Sequence, residues 1–348
     1  MSFMMNRLRV LKPPPESRSL ILPNPFDKEP GLGIETSPKT LPDLSLRRIL
    51  VPFGFSDTSA LLLRRLVPLA QKTGAVLHLL HVVDDSASDD SHPAENSHGS
   101  VDELADAAQS VLNLWRDRIV RGRVPAFASV RIGNRADEIL GRAKRRKADL
   151  IVMTTGGNCA TSGSYYPSSA EMVTRNAPCP ALIIPARTVR ELSAEFDGFP
   201  TSSWKTILVP VDFSACSGRV LRYATALSAE NGAKLVLLNV MLEGAGIADD
   251  VGSNGEEDFR GLERRGKRRL KEWVKRQMVL LPEFESVIWT GIPSAFAVPL
   301  EAKLSNADLI VLPVRKARRP GPHSRRSLTD VILRSASCPI LSIHEQVP

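Results

Sequence analysis

Two tandem α/β domains, each a five-stranded parallel sheet with helices on both faces, are what this 348-residue sequence predicts. Three observations carry that expectation. The octet Ile49-Leu50-Val51-Pro52-Phe53-Gly54-Phe55-Ser56 returns as Ile207-Leu208-Val209-Pro210-Val211-Asp212-Phe213-Ser214, identical at six of eight positions at an offset of 158. Ala148-Asp149-Leu150-Ile151-Val152 returns as Ala307-Asp308-Leu309-Ile310-Val311, and Cys179-Pro180 as Cys338-Pro339, at an offset of 159. A slip of one residue over a domain length marks a duplicated fold, and the period is far too long for a solenoid. Within each copy, short apolar runs alternate with helical patterns, which implies right-handed crossovers and a parallel sheet.

Residues 1–45 are interrupted by eight prolines, among them Pro13, Pro14 and Pro15. Such a segment holds neither a helix nor a central strand and reads as a flexible arm. The first copy, 46–186, opens with a buried strand at 48–53. Ser56 or Asp57 caps a helix over 59–72, Gly74 stops it, and Pro68 is expected to bend or break it. A near-continuous apolar run over 75–83 is the second strand, as expected of a sheet covered on both faces. The polar stretch 84–100 is a loop whose His92 and His98 match no defined metal spacing. Leu104, Ala108, Val111, Leu112, Trp115 and Ile119 give 101–120 a helical period. A strand at 126–131, a helix after Asn134 or Arg135, and a strand at 149–154 follow. The basic run 142–147 suits the negative end of that helix's dipole. A glycine- and serine-rich loop, a short helix over 168–176 and a strand over 180–185 complete the copy.

Residues 187–203 connect the copies, and 204–348 repeat the course: strands at 206–211, 234–241, 285–289, 309–313 and 339–344, with helices between them. The helix near 257–278 carries a dense basic set from Arg264 to Arg276. Leu262, Leu270, Trp273 and Val274 supply an apolar side, so it reads as a sheet-covering helix with a basic outer face. A positive face attracts polyanions, but no aromatic platform, zinc spacing or recognition-helix pattern accompanies it, so nucleic acid is not the expected partner.

The net charge of +8 permits anionic partners without identifying one. No apolar run approaches the roughly 20 residues that cross a bilayer, and no signal peptide is read at the start. Cys159, Cys179, Cys216 and Cys338 are dispersed without a CxxC pair, which fits reduced thiols in the cytoplasm and neither a disulfide framework nor a zinc site.

The opening Ile-Leu-Val-Pro-x-Asp-Phe-Ser, the Ala-Asp-Leu-Ile-Val before a glycine loop and the Ala-Pro-Cys-Pro-x-Leu-Ile at the close resemble the universal stress protein family. The resemblance implies an adenine nucleotide alpha hydrolase-like fold, paired within one chain as an internal pseudo-dimer with 181–184 antiparallel to 340–343. It also implies a division between members that bind ATP and members that do not. Binders place an aspartate after the first strand, near adenine and ribose. Around the phosphates they carry Gly, two residues, Gly, nine residues, Gly, then Ser or Thr. Glycines let amides approach phosphate, and a hydroxyl at a helix start adds a donor.

Neither copy carries the whole pattern. In the first copy the aspartate position is Gly54 and the loop positions are Thr154, Gly157, Pro167 and Ser168. In the second, Asp212 remains, while the loop positions are Pro313, Lys316, Arg326 and Ser327. Arg315, Lys316, Arg318, Arg319, Arg325 and Arg326 either replace the backbone cradle with side chains that fork onto phosphate or simply face water. Asp212 either meets a nucleotide or organises the turn at Phe213-Ser214. The expectation is therefore impaired ATP binding at most, through Asp212, Ser327, Lys316, Arg326, Gly157 and Ser168, and a stress-response or regulatory role. The alternative is an interaction module acting on an unidentified protein through its basic surface and N-terminal arm. No Gly-x-Ser-x-Gly elbow, His-Glu-x-x-His pair or full Walker A loop is present, and Cys159, the loop thiol, has no histidine beside it. An enzyme is not expected.

Overall fold

A computed structural model describes residues 42, 45–84, 101–155, 169–191, 204–241, 259–277, 283–314 and 328–344. The first copy runs β1 (Arg48–Pro52), α1 (Asp57–Thr73), β2 (Val76–Val83), α2 (Val101–Val120), β3 (Ala126–Ile132), α3 (Arg135–Arg146), β4 (Leu150–Thr154), α4 (Ser169–Asn176) and β5 (Ala181–Ile184). A short helix, α5 (Ala186–Glu191), leads to the second copy. That copy runs β6 (Thr206–Pro210), α6 (Ala215–Asn231), β7 (Lys234–Met241), α7 (Phe259–Arg276) and β8 (Phe284–Thr290). It ends with α8 (Ser294–Leu304), β9 (Leu309–Val314), α9 (Leu328–Ser335) and β10 (Ile340–His344).

All ten strands form one mixed sheet in the order β3-β2-β1-β4-β5-β10-β9-β6-β7-β8. Every pairing is parallel except β5 with β10, which is antiparallel and centred on Leu182 opposite Leu341. Strand side chains alternate between faces, so each copy feeds two cores. Ile49, Val51, Ile207 and Val209 pack on one face with α1, α2, α6 and α7. Leu50, Ile151, Leu208 and Ile310 pack on the other with α3, α4, α8 and α9.

Local chemistry sets the ends of these elements. Gly74 (φ 69) and Gly232 (φ 64) close α1 and α6 in the left-handed conformation that suits glycine. Asn134 caps α3 by accepting from the amides of Ala136 and Asp137. The aspartate of Ala-Asp-Leu-Ile-Val has a structural task at the far end of the sheet from the loops. Asp149 Oδ2 accepts from the amides of Arg47 and Arg48 at 3.0 and 2.8 Å, and Asp308 Oδ2 accepts from Lys205 and Thr206 at 2.8 and 2.9 Å. Each carboxylate ties the start of one strand to the start of its neighbour.

One expectation changes. Pro68 neither breaks nor ends α1, which continues to Thr73. Pro68 and Arg64, four residues earlier, both face solvent, so water can satisfy the carbonyl that a proline leaves without its amide. The start of the connecting segment is helical, because it has something to dock on. Val189 is buried, Thr188 Oγ1 donates to the Ser337 carbonyl at 3.1 Å, and Arg187 donates to the carbonyls of Ser335 and Ala336.

The edge strand β3 is blunted by a side chain. Gln109 of α2 accepts from the Val130 amide at 2.9 Å and donates to the Ala128 carbonyl at 3.4 Å, taking the place of a neighbouring strand.

Across the β5/β10 joint, α4 meets α9 through reciprocal ion pairs. Arg175 forks onto Asp330, and Arg334 Nε donates to Glu171 Oε1 at 2.7 Å. The two acids are 3% and 4% exposed at the side chain. Removing one partner of a desolvated pair strands the other charge, so Asp330→Asn should cost about 2–3 kcal/mol. Urea denaturation measures it. A loss no larger than that of an ordinary surface substitution would mean the pair does not hold the joint.

Candidate functional site

In an open sheet of this kind, ligands bind beyond the carboxyl ends of the strands where the strand order reverses. Here those points lie between β1 and β4 and between β6 and β9. The turns leaving β1 and β6 form one wall of each.

Both turns are strained in the same way. Phe55 (φ 54) and Phe213 (φ 62) adopt the left-handed conformation that a bulky side chain rarely takes. Packing holds them there. Phe55 lies against His81 and Phe53, at centroid distances of 4.2 and 5.7 Å. Phe213 lies against Trp273 at 5.9 Å, with the Arg269 guanidinium 4.7 Å over its ring. One side chain in each copy fastens the strand end below. His81 Nδ1 bonds the Phe53 carbonyl at 2.8 Å, and Asn239 Nδ2 donates to the Val211 carbonyl at 2.8 Å. A carbonyl only accepts, so Nδ1 of His81 carries the proton.

The carboxylate of Asp212 is committed to its own turn. Oδ1 accepts from the Ser214 amide at 3.0 Å, from Ser214 Oγ at 2.5 Å and from Ser217 Oγ. Ser217 Oγ in turn accepts from the Asp212 amide at 3.1 Å, and Ser214 Oγ from the Ser217 amide at 3.2 Å, which caps α6. In the first copy hydroxyls close the same turn without an acid. Gly54 donates its amide to Ser59 Oγ at 3.3 Å, and Ser56 Oγ bonds Ser59 Oγ at 3.0 Å and Thr58 Oγ1 at 2.9 Å. A Cβ at Gly54 would meet Ser59 Oγ at 3.7 Å, an ordinary contact, so no crowding there demands glycine.

Two of the loop positions named from the sequence lie in described strands. Thr154 closes β4, and Pro313 lies within β9, paired with Ile343 of β10. Gly157, Pro167 and Ser168 of the first copy, and Lys316, Arg326 and Ser327 of the second, lie outside the described residues, as does Cys159. Of the six residues expected to contact a ligand, Asp212 is the one whose surroundings can be stated. Sequence reasoning missed Ser59, Ser217, His81 and Asn239. Their matching positions in the two copies were the available signal.

Among the described residues, Cys179, Cys216 and Cys338 are free and buried. Burial pushes the Cys179 and Cys338 thiols up to about 12, which makes them poor nucleophiles. No group of three or more His, Cys, Asp or Glu among the described residues is placed to hold a metal ion. No described helix is long and apolar enough to cross a membrane.

The sequence signature described as "Universal stress protein family" matches residues 45–185 and 203–344. A universal stress protein of Methanocaldococcus jannaschii is 31% identical over 139 residues, spanning 40% of this chain and 81% of that protein. The crystal structure of a universal stress protein from Archaeoglobus fulgidus superposes with a TM-score of 0.58 at 18% identity, covering 85% of this chain and 96% of that one. A functionally unknown protein from Pseudomonas aeruginosa gives 0.52 at 16% identity, covering 86% and 93%. At these identities the two structures speak to the fold alone.

Two outcomes test the geometry of the turns. Ser217→Ala removes a buried hydroxyl that donates to the Asp212 carboxylate and should cost about 2 kcal/mol in chemical denaturation, whereas Ser59→Ala, with only hydroxyl and amide partners, should cost about 1 kcal/mol. Equal costs would show that Asp212 does not depend on Ser217. Burial, and then Arg135, hold the His81 imidazole below its usual 6.5 against the raising effect of its bond to Phe53. Its contribution to stability is therefore complete above pH 6.5 and declines below it, as the unfolded chain gains a proton that the folded one refuses. His81→Asn, the residue that does this work in the second copy, should reduce the loss of stability between pH 7.5 and 5.5. An unchanged loss would remove His81 from the acid response.

Proposed function

Because this chain belongs to the universal stress protein family, we propose that it is a non-enzymatic stress-response or regulatory protein of the cytoplasm with at most impaired binding of ATP. Its two domains, 46–186 and 204–348, pair as an internal pseudo-dimer, with 1–45 as an arm and 187–203 as the connection. The reciprocity of the joint supports the pairing. Arg175 with Asp330 and Arg334 with Glu171 are each other's counterparts at an offset of 159, as a two-fold axis through Leu182 and Leu341 requires.

The observation that carries the weak-binding reading is the state of the acid after the first strand. Asp212, the one carboxylate at that position, accepts three hydrogen bonds within its own turn at Oδ1, and the first copy has Gly54 there. A nucleotide at the second copy would compete with the cap of α6 for Asp212 and draw on Lys316, Arg326 and Ser327. At the first copy it would have Gly157 and Ser168 but no acid. The other reading, a protein-interaction module that has lost the nucleotide, is favoured by one feature: α7 presents Arg264, Arg268, Arg269, Lys271, Lys275 and Arg276 on its exposed side.

The test is to denature freshly purified protein, analyse the released nucleotide, and titrate the native chain with ATP and ADP with and without Mg²⁺. Little carried nucleotide and saturation only near millimolar ATP are expected. Gly54→Asp places its Cβ at an exposed position without a clash and should tighten binding roughly ten-fold, the worth of one charge-assisted hydrogen bond. Ser168→Ala and Ser327→Ala identify the copy in use by the affinity each loses. Tight binding by the unaltered chain would overturn the impairment. Silence from both the unaltered chain and Gly54→Asp would leave the interaction module.

A further inference from the structure

On the flank of the first copy, several arginines gather around one carboxylate. Ser129 and Arg131 share a face of β3, and α3 covers it, because Arg142 Nη2 donates to Ser129 Oγ at 3.0 Å. Arg142 is 7% exposed and its Nε has no partner. Burial, then Arg146, Arg131 and Arg145, lower the pKa of its guanidinium, and Glu138 opposes them. Nearby, His78 is 8% exposed, stacks on Phe127 at 5.5 Å and leaves Nδ1 unpaired. Arg131, Glu138 and Arg145 line a cavity of about 540 Å³ at the edge strand, together with Ala105, Val130 and Ile132.

The fold does not require this arrangement. The caps Asn134 and Pro293, and the left-handed residues Lys147 (φ 48) and Asn306 (φ 50), align α3 with α8 at an offset of 159. At matching positions the second copy has Glu301 for Arg142, Leu304 for Arg145 and Ala297 for Glu138, and on the strand, where the offset is 158, Trp289 for Arg131. There Trp289 Nε1 donates to Glu301 at 2.8 Å, and both side chains are buried. The same helix-on-strand packing is thus built with no arginine. The first copy instead withdraws a guanidinium from water among like charges, which is costly unless an anion is near.

We propose that this groove binds a multivalent phosphate anion. Arg131 and Arg145 fork onto its oxygens, and Arg142 lies behind them, adding charge and fixing β3 against α3. Glu138, paired with Arg145 at 3.3 Å, yields it to the ligand.

The probe is inorganic pyrophosphate, titrated calorimetrically into the full chain at low ionic strength. One saturable site is expected, weakened at least ten-fold in Arg131→Ala/Arg145→Ala and tightened in Glu138→Gln. Both arginines are exposed, so the double variant should keep its circular dichroism and melting temperature. Arg64→Ala/Lys72→Ala, which removes two exposed cations from α1, should leave the affinity unchanged. Absence of binding, an equal loss from the α1 variant, or a loss in Ser168→Ala or Ser327→Ala that placed the anion in the loops would each overturn the proposal. If the double variant fails to fold, an unaltered affinity in Glu138→Gln overturns it as well.

Discussion

Everything in this molecule depends on three residue pairs: Ile183 with Ile340, Leu182 with Leu341 and Ala181 with Ser342. They form the antiparallel ladder that turns two sets of parallel strands into one sheet. A bare β5 or β10 would be an apolar edge, and a protein cannot leave such an edge open without inviting other strands. Closing each with the other lets both cores run uninterrupted through the middle of the sheet. The ladder alone would tolerate slippage between two smooth apolar strands. The pairs of Arg175 with Asp330 and Arg334 with Glu171 penalise any shift, because a displaced register would leave two buried carboxylates out of water and alone.

The copies agree in backbone and disagree in chemistry, which separates what the fold needs from what it merely carries. Both turns hold a phenylalanine at positive φ, and both fasten the strand end through a side-chain donor. The donor itself is free to be histidine or asparagine. Where Asp212 gathers Ser214 and Ser217, the first copy gathers its hydroxyls about one another. Where α8 seals Glu301 against Trp289, α3 sets Arg142 against Ser129.

The strands were legible because a parallel sheet buried on both faces demands long branched apolar runs, such as 234–241, found as expected. Helix ends were legible where glycine must be left-handed, at Gly74 and Gly232. Pro68 does not break its helix, because its cost depends on whether the carbonyl one turn back faces water, which composition does not reveal. Asp149 and Asp308 belonged to a motif, but only strand order shows which amides they bind. Arg142 was taken with its neighbours as a complement to the helix dipole. Its spacing of three from Ile139, beside Ala143, already placed it on the apolar face, and that signal went unused. Of the candidate site, the turns are explained, whereas the loop positions Gly157, Ser168, Lys316, Arg326 and Ser327 fall outside the described residues.

Gln109 has a further consequence. A sheet with two open sides can propagate without limit, each molecule templating the next. Here the amide of Gln109 occupies one side by holding Val130 and Ala128, whereas the matching position in the second copy is Lys267, turned to Glu263 at 2.6 Å along its own helix. Among the described residues, no amide of this kind meets β8. The two margins of the sheet are therefore chemically unlike, although they occupy equivalent places in the two copies.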